Sequence, residues 1–145
     1  MTLSYHDEIE IDASADDVWA VYSDVEHWAD WTASVAEVRF VDGDHVAMGA
    51  RVHIRQPKLR PGVWTVTAVE PARSWTWHTR LPGMHTTGIH TVEPLGTHGA
   101  RVHQTIEHRG PLGAIFGRLY GRLTRSYLAM EANGLKQRCE AHART

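Results

Sequence analysis

Eleven of the 145 residues are histidine, the side chain that changes charge near neutral pH. A histidine beside an acidic or phenolic group could withdraw an α-proton and help water leave, which is general acid–base chemistry. His90 is the candidate of that kind. It lies in the alternating run 88–93, where Val92 marks an apolar face that His90 shares. Tyr127 and Glu131, one helical turn apart, could supply the partner group. A buried Glu131 would hold its proton to higher pH, because desolvation disfavours the carboxylate. The plainer alternatives are that His90 is a hydrogen-bonded core residue and that Glu131 pairs with an arginine or with Tyr127.

The histidine spacings do not support a metal centre. There is no HxxxH on a helix, no HExxH, and no pair of histidines two apart on one strand. His103 and His108, five apart on one strand, face opposite sides. The single cysteine, Cys139, excludes an internal disulfide and a cysteine-based zinc site. There is neither a P-loop nor a GxGxxG motif, and no cofactor is expected.

A second set of residues could wall a ligand. Trp75 and Trp77 share a strand face, Trp28 and Trp31 share a helical face, and Trp64 lies on another strand. Gln56 falls on the face of Val52 and Ile54, and Gln104 and His108 on that of Val102 and Ile106. Tyr120 and Leu123 belong to a C-terminal helical stripe. A few polar groups in an aromatic lining suit an apolar molecule with one or two polar atoms. The same tryptophans could instead fill a solid core, with some indole N–H groups seeking partners.

These side chains are positioned by elements that the periodicity makes plain. Residues 3–12 alternate with a period of two, as a half-buried strand does. Ser14 with Asp17 resembles a capping box and starts a helix over 15–23, and Asp24 can cap a second short one. Runs at 35–41, 50–56, 63–69, 74–80, 88–93 and 101–108 read as six more strands, separated by Gly, Pro and Asp turns. Short connections imply an antiparallel meander. From Leu112 the period becomes helical for nearly 30 residues, with Leu112, Phe116, Leu119, Leu123, Tyr127 and Met130 as its apolar stripe, widened by Ile115, Tyr120 and Leu135. Arg118, Arg122 and Arg125 form the opposite, solvated stripe. Gly134 sits near the centre of the apolar face, where a missing side chain leaves room for another group. The order predicts an α+β domain over 1–145, a seven-stranded sheet wrapped around a long C-terminal helix, with a cavity between them.

The chain fits one domain, and no apolar run is long enough for a membrane helix. The start lacks a secretory leader, so a cytoplasmic location is expected. The net charge of −2 gives no reason to expect nucleic acid as a partner. Twelve of the 17 acids lie in residues 1–44 against one base there, Arg39, while the other 14 bases lie beyond. The acidic head and basic tail are expected to be neighbours that offset each other. A homodimer is left open.

The motifs, taken together, resemble the helix-grip fold of the START/Bet v 1-like (SRPBCC) superfamily, and within it the polyketide cyclase/dehydrase-like group. The residues carrying the likeness are the run from Ile11 to Trp19, Asp24 to Trp28, Gln56-Pro57, Trp64 to Thr67 leading to Glu70-Pro71, Trp75-Thr76-Trp77, His90 to Pro94, Gly110-Pro111-Leu112 and Glu131 to Leu135. The resemblance spans essentially the whole chain. It implies a binder of a hydrophobic or aromatic small molecule, of lipid, isoprenoid or polyketide type, acting as carrier or sensor. A cofactor-independent cyclase/dehydrase using His90, Tyr127 and Glu131 is the alternative, and an interaction or chaperone-like domain using the arginine stripe is a third.

Overall fold

A computed structural model of the chain describes residues 2–143. β1 (Thr2–Ile11) opens the chain with its exposed face on the even-numbered residues from Thr2 to Glu10. The Ser14 hydroxyl then accepts the Asp17 N–H at 3.2 Å, and α1 (Ala15–Tyr22) follows with Asp16 and Asp17 in its positive first turn. A 3-10 helix, Val25–Asp30, comes next. The remaining strands are β2 (Glu37–Asp42), β3 (Arg51–Arg55), β4 (Gly62–Glu70), β5 (Ser74–Leu81), β6 (Met84–Leu95) and β7 (Gly99–Arg109). They pair antiparallel in the order β1-β7-β6-β5-β4-β3-β2, so the first strand closes beside the last. Irregular register between Phe40 and Asp42 and between Val66 and Ala68 bends the β2 and β4 ends of this sheet.

The expected C-terminal helix is broken in two. α2 (Gly113–Leu119) ends at Tyr120, whose backbone (φ −104°, ψ 16°) leaves the helical region, and α3 (Gly121–Ala143) starts immediately after. The break re-aims the second part. Leu112, Ile115, Leu119 and Met130 of the expected apolar stripe are exposed; α3 buries Tyr127 and Leu135 as expected, and with them Leu128, Glu131, Ala132 and Cys139. Glycine makes this seating possible. A Cβ at Gly117 would clash with Leu3, one at Gly121 with Tyr5, and one at Gly134 with the Trp31 carbonyl oxygen. The space left at Gly134 is therefore taken by backbone from the end of the 3-10 helix, and α3 lies closer to that segment than any larger residue allows.

The core fills the space between the inner sheet face and α1, the 3-10 helix and α3. Val18, Tyr22, Trp28, Trp75, Val92 and Leu135 are all within 1 % of full burial. Cys139 joins them near the end of α3. The acidic and basic halves do meet: Arg101 bonds Glu10 at 2.7 Å, Arg51 bonds Asp42 at 3.1 Å, and Lys136 donates to the Glu10 carbonyl at 3.0 Å. Arg118, Arg122 and Arg125 are exposed, as a wet helix face should be. No described helix is long and apolar enough to cross a membrane.

Candidate functional site

Alternation along β6 and β7 turns His90, Val92, Val102 and Gln104 to the inner face, with His90 directly opposite Gln104 across the ladder. On the other side His90 faces Trp75 of β5 in register. The Trp75 ring stacks on the imidazole (centroids 4.4 Å, planes 20° apart), and Trp77 meets it edge-on at 5.0 Å. Trp28 closes a further side at 5.6 Å. Trp77 can lie this close because its strand neighbour is Gly88, where a Cβ would collide with the indole.

α1 supplies a residue that the sequence reading did not single out. Tyr22, at its C-terminal end, holds its hydroxyl 2.7 Å from His90 Nδ1. Its ring lies parallel to that of Trp28, which donates its indole N–H to the Tyr22 carbonyl at 2.8 Å. The sequence signal was present: Val18 and Tyr22 are four apart on the apolar side of α1.

Burial sets the protonation states. Desolvation lowers His90 to about 3, so its imidazole is neutral at neutral pH. Desolvation likewise raises the Glu131 carboxyl to about 8, against a hydrogen bond from the Ser34 side chain that pulls it down. Burial, and then the nearby Glu131 carboxylate when it forms, hold Tyr22 well above the usual phenol range. The interior at neutral pH is thus polar but uncharged.

Among the described residues, His90 Nε2, Gln104 Oε1 and Trp75 Nε1 are buried without hydrogen-bond partners. In either imidazole tautomer, Nε2 of His90 carries an unused donor or lone pair. Gln104 uses its Nε2 on the Leu128 carbonyl at 3.2 Å, which ties β7 to α3.

The other predicted residues fall in three places. Tyr127 donates its hydroxyl to the Pro57 carbonyl, and Gln56 Nε2 donates to the Ser34 carbonyl at 3.2 Å. Together they fasten the proline-rich loop between β3 and β4 to α3 and to the segment after the 3-10 helix. Trp64 and Trp31 are half-buried flanks, 6.2 Å from Trp77 and 5.5 Å from Trp28. His108 lies apart, under α2: Thr86 Oγ1 is 2.9 Å from its Nδ1, Phe116 packs edge-on at 5.4 Å, and burial lowers its pKa. Tyr120 packs on Phe116 at 4.6 Å, and Leu123 is half-buried at the start of α3. Two hollows, of about 430 and 420 Å³, are open grooves at the surface, one against Trp31 and Gly134 and the other against Tyr5 and Arg125. His90 and Gln104 line neither.

A sheet wrapped around a long C-terminal helix, with short helices after the first strand, defines the helix-grip class of protein. Residues 2–140 match the family described as polyketide cyclase / dehydrase and lipid transport, and the chain belongs to that family. Solved structures agree on the fold. Norcoclaurine synthase from Thalictrum flavum, a point mutant bound to a transition-state analogue, is 20% identical with a TM-score of 0.76 over 99% of this chain and 97% of that one. The Zhui aromatase/cyclase from Streptomyces sp. R1128 is 16% identical with a TM-score of 0.77 over 99% and 96%. A START superfamily protein from Mycobacterium smegmatis is 15% identical with a TM-score of 0.74 over 95% and 97%. No curated protein sequence matches the chain.

Proposed function

We propose that the chain binds a neutral, mostly apolar small molecule of lipid, isoprenoid or polyketide type between the sheet and α3, as a carrier or sensor. The observation that carries this reading is the set of partnerless atoms on His90, Gln104 and Trp75 inside an aromatic wall. A buried polar group without a partner costs about 1–3 kcal/mol, so three in one place favour a ligand that supplies the missing bonds. The uncharged state of His90 and Glu131 near neutral pH favours a ligand without formal charge. Entry requires the loop after β3 to part from α3, which means releasing the Tyr127–Pro57 bond.

A second reading, a cofactor-independent cyclase or dehydrase, is favoured by the Glu131 carboxyl. Its pKa of about 8 lies near working pH, as a general acid–base group needs. His90 at about 3 is a weak base, which puts binding ahead of catalysis.

Native mass spectrometry on gently purified protein tests the proposal. The expected result is a bound apolar molecule, released on denaturation, whose rebinding quenches tryptophan emission. An unliganded mass that persists after soaking in a host lipid extract, with unchanged emission, would overturn it. The Glu131→Gln variant separates the two readings: a carrier keeps most of its affinity, and an enzyme loses turnover with binding retained.

A further inference from the structure

The outer face of the same sheet brings together a second set of histidines and carboxylates. His6 and Glu8 are two apart on β1 and point the same way, and Glu8 lies directly opposite His103 of β7. Glu8 Oε2 is 3.2 Å from His103 Nδ1 and 3.8 Å from His6 Nε2. One ligand atom from each residue lies within 4.8 Å of the other two. Ligands about 2.0–2.1 Å from a tetrahedral zinc ion sit roughly 3.3 Å from one another, so small side-chain rotations would close the triangle.

The orientation of each ring is set from behind. His6 Nδ1 lies 3.0 Å from Thr105 Oγ1, and His103 Nε2 lies 3.1 Å from Glu93 Oε2. If each of those nitrogens carries the proton and donates it, the other ring nitrogen presents a lone pair towards Glu8 Oε2. A metal-bound histidine usually has such an arrangement, its far N–H held by a carboxylate or another acceptor. The neighbouring Arg101 gives its short bond to Glu10 and lies 3.7 Å from the same Glu93 oxygen.

We infer that His6, Glu8 and His103 form a Zn2+ site on the outer face of the sheet, with Thr105 and Glu93 as the groups that orient the two imidazoles. Two imidazoles and one carboxylate suit a borderline divalent ion and not Mg2+. Three protein ligands leave a fourth position, which here faces solvent, since His6 and Glu8 are half exposed. Histidine spacing along the chain misses this site, because its third ligand comes from a neighbouring strand nearly a hundred residues away.

Calorimetric titration of the untagged, chelator-stripped chain with Zn2+ tests the inference, with Mg2+ as the control. One Zn2+ should bind per chain, and Mg2+ should not. His6→Ala and His103→Ala should each weaken Zn2+ binding by more than about tenfold, and Glu93→Gln by about tenfold through the orientation of His103. His98→Ala, in the turn between β6 and β7, should bind as the parent does. Glu8→Gln gives the same test with the least change of shape, should an alanine variant fail to fold. Absence of Zn2+ binding, or binding unchanged in His6→Ala and His103→Ala, would overturn the site and leave these residues as an ion-pair network.

Discussion

The two faces of β6 and β7 use the same residue types for opposite ends. Inward, His90 and Gln104 meet a tryptophan wall; outward, one or a few residues along, Glu93 and His103 bond each other beside Glu8. Within the interior, desolvation strips both His90 and Glu131 of charge near neutral pH. On the outside, the hydrogen bond from His103 keeps Glu93 below its ordinary pKa. A histidine and a carboxyl are therefore hydrogen-bonding groups on one side of the sheet and charge or metal chemistry on the other. The side chain does not decide this; its access to water does.

Trp75→Ala removes the ring stacked on His90 and should cost about 3–5 kcal/mol in urea unfolding. His6→Ala on the outer face should leave the unfolding midpoint where it is. Comparable losses at the two positions would sink the contrast.

Proton linkage gives a sharper test. Glu131 keeps its proton to about 8 in the folded chain, but to only 4.5 at its ordinary value. Between those pH values unfolding releases a proton, so Glu131 makes stability fall as pH rises from 4.5 to about 8. His90 takes a proton near 3 when folded, against an ordinary value of 6.5. Unfolding then takes a proton up, so His90 makes stability fall as pH drops from 6.5 to about 3. Each slope approaches about 1.4 kcal/mol per pH unit, and the two offset each other between 4.5 and 6.5. A series of urea curves should show a plateau there with losses on both sides. Glu131→Gln should flatten the alkaline side and let the acid-side loss begin at 6.5, whereas His90→Gln should flatten the acid side and let the alkaline-side loss begin at 4.5. A parent profile already flat from pH 6.5 to 8 would mean that Glu131 is not a dry carboxyl.

Smaller effects should follow at the edges. Tyr127→Phe removes the bond to the Pro57 carbonyl and should cost about 1 kcal/mol while speeding ligand exchange in stopped-flow fluorescence. A variant that exchanges no faster would show that the proline-rich loop is not the way in. Arg101→Gln breaks a surface pair with Glu10 and should leave thermal unfolding unchanged, because solvent already screens that pair.

What the sequence revealed follows from what repeats along it. Alternation in β3, β5, β6 and β7 put Val52, Ile54, Trp75, Trp77, His90 and Gln104 on the inner face, where they are found. The resemblance and the order of elements gave the helix-grip fold. The C-terminal stripe held at Tyr127 and Leu135 but misled at Leu112, Ile115, Leu119 and Met130, because periodicity assumes one straight helix and Tyr120 interrupts it. Tyr22 was legible as an apolar helix position but not as the partner of His90, since that contact joins α1 to a strand 68 residues later. The His6–Glu8–His103 group depends on strand register, which has no signature within either strand alone.

Cys139 offers a use that none of this chemistry needs. It is a free thiol, 2 % exposed, and burial pushes its pKa to about 12. In the closed chain it neither meets a reagent nor ionises readily, so alkylation waits until α3 lifts from the sheet. The rate of labelling, compared with that of the unfolded chain, therefore clocks how often the fold opens there. The chain carries its own stopwatch for breathing, with no engineered label.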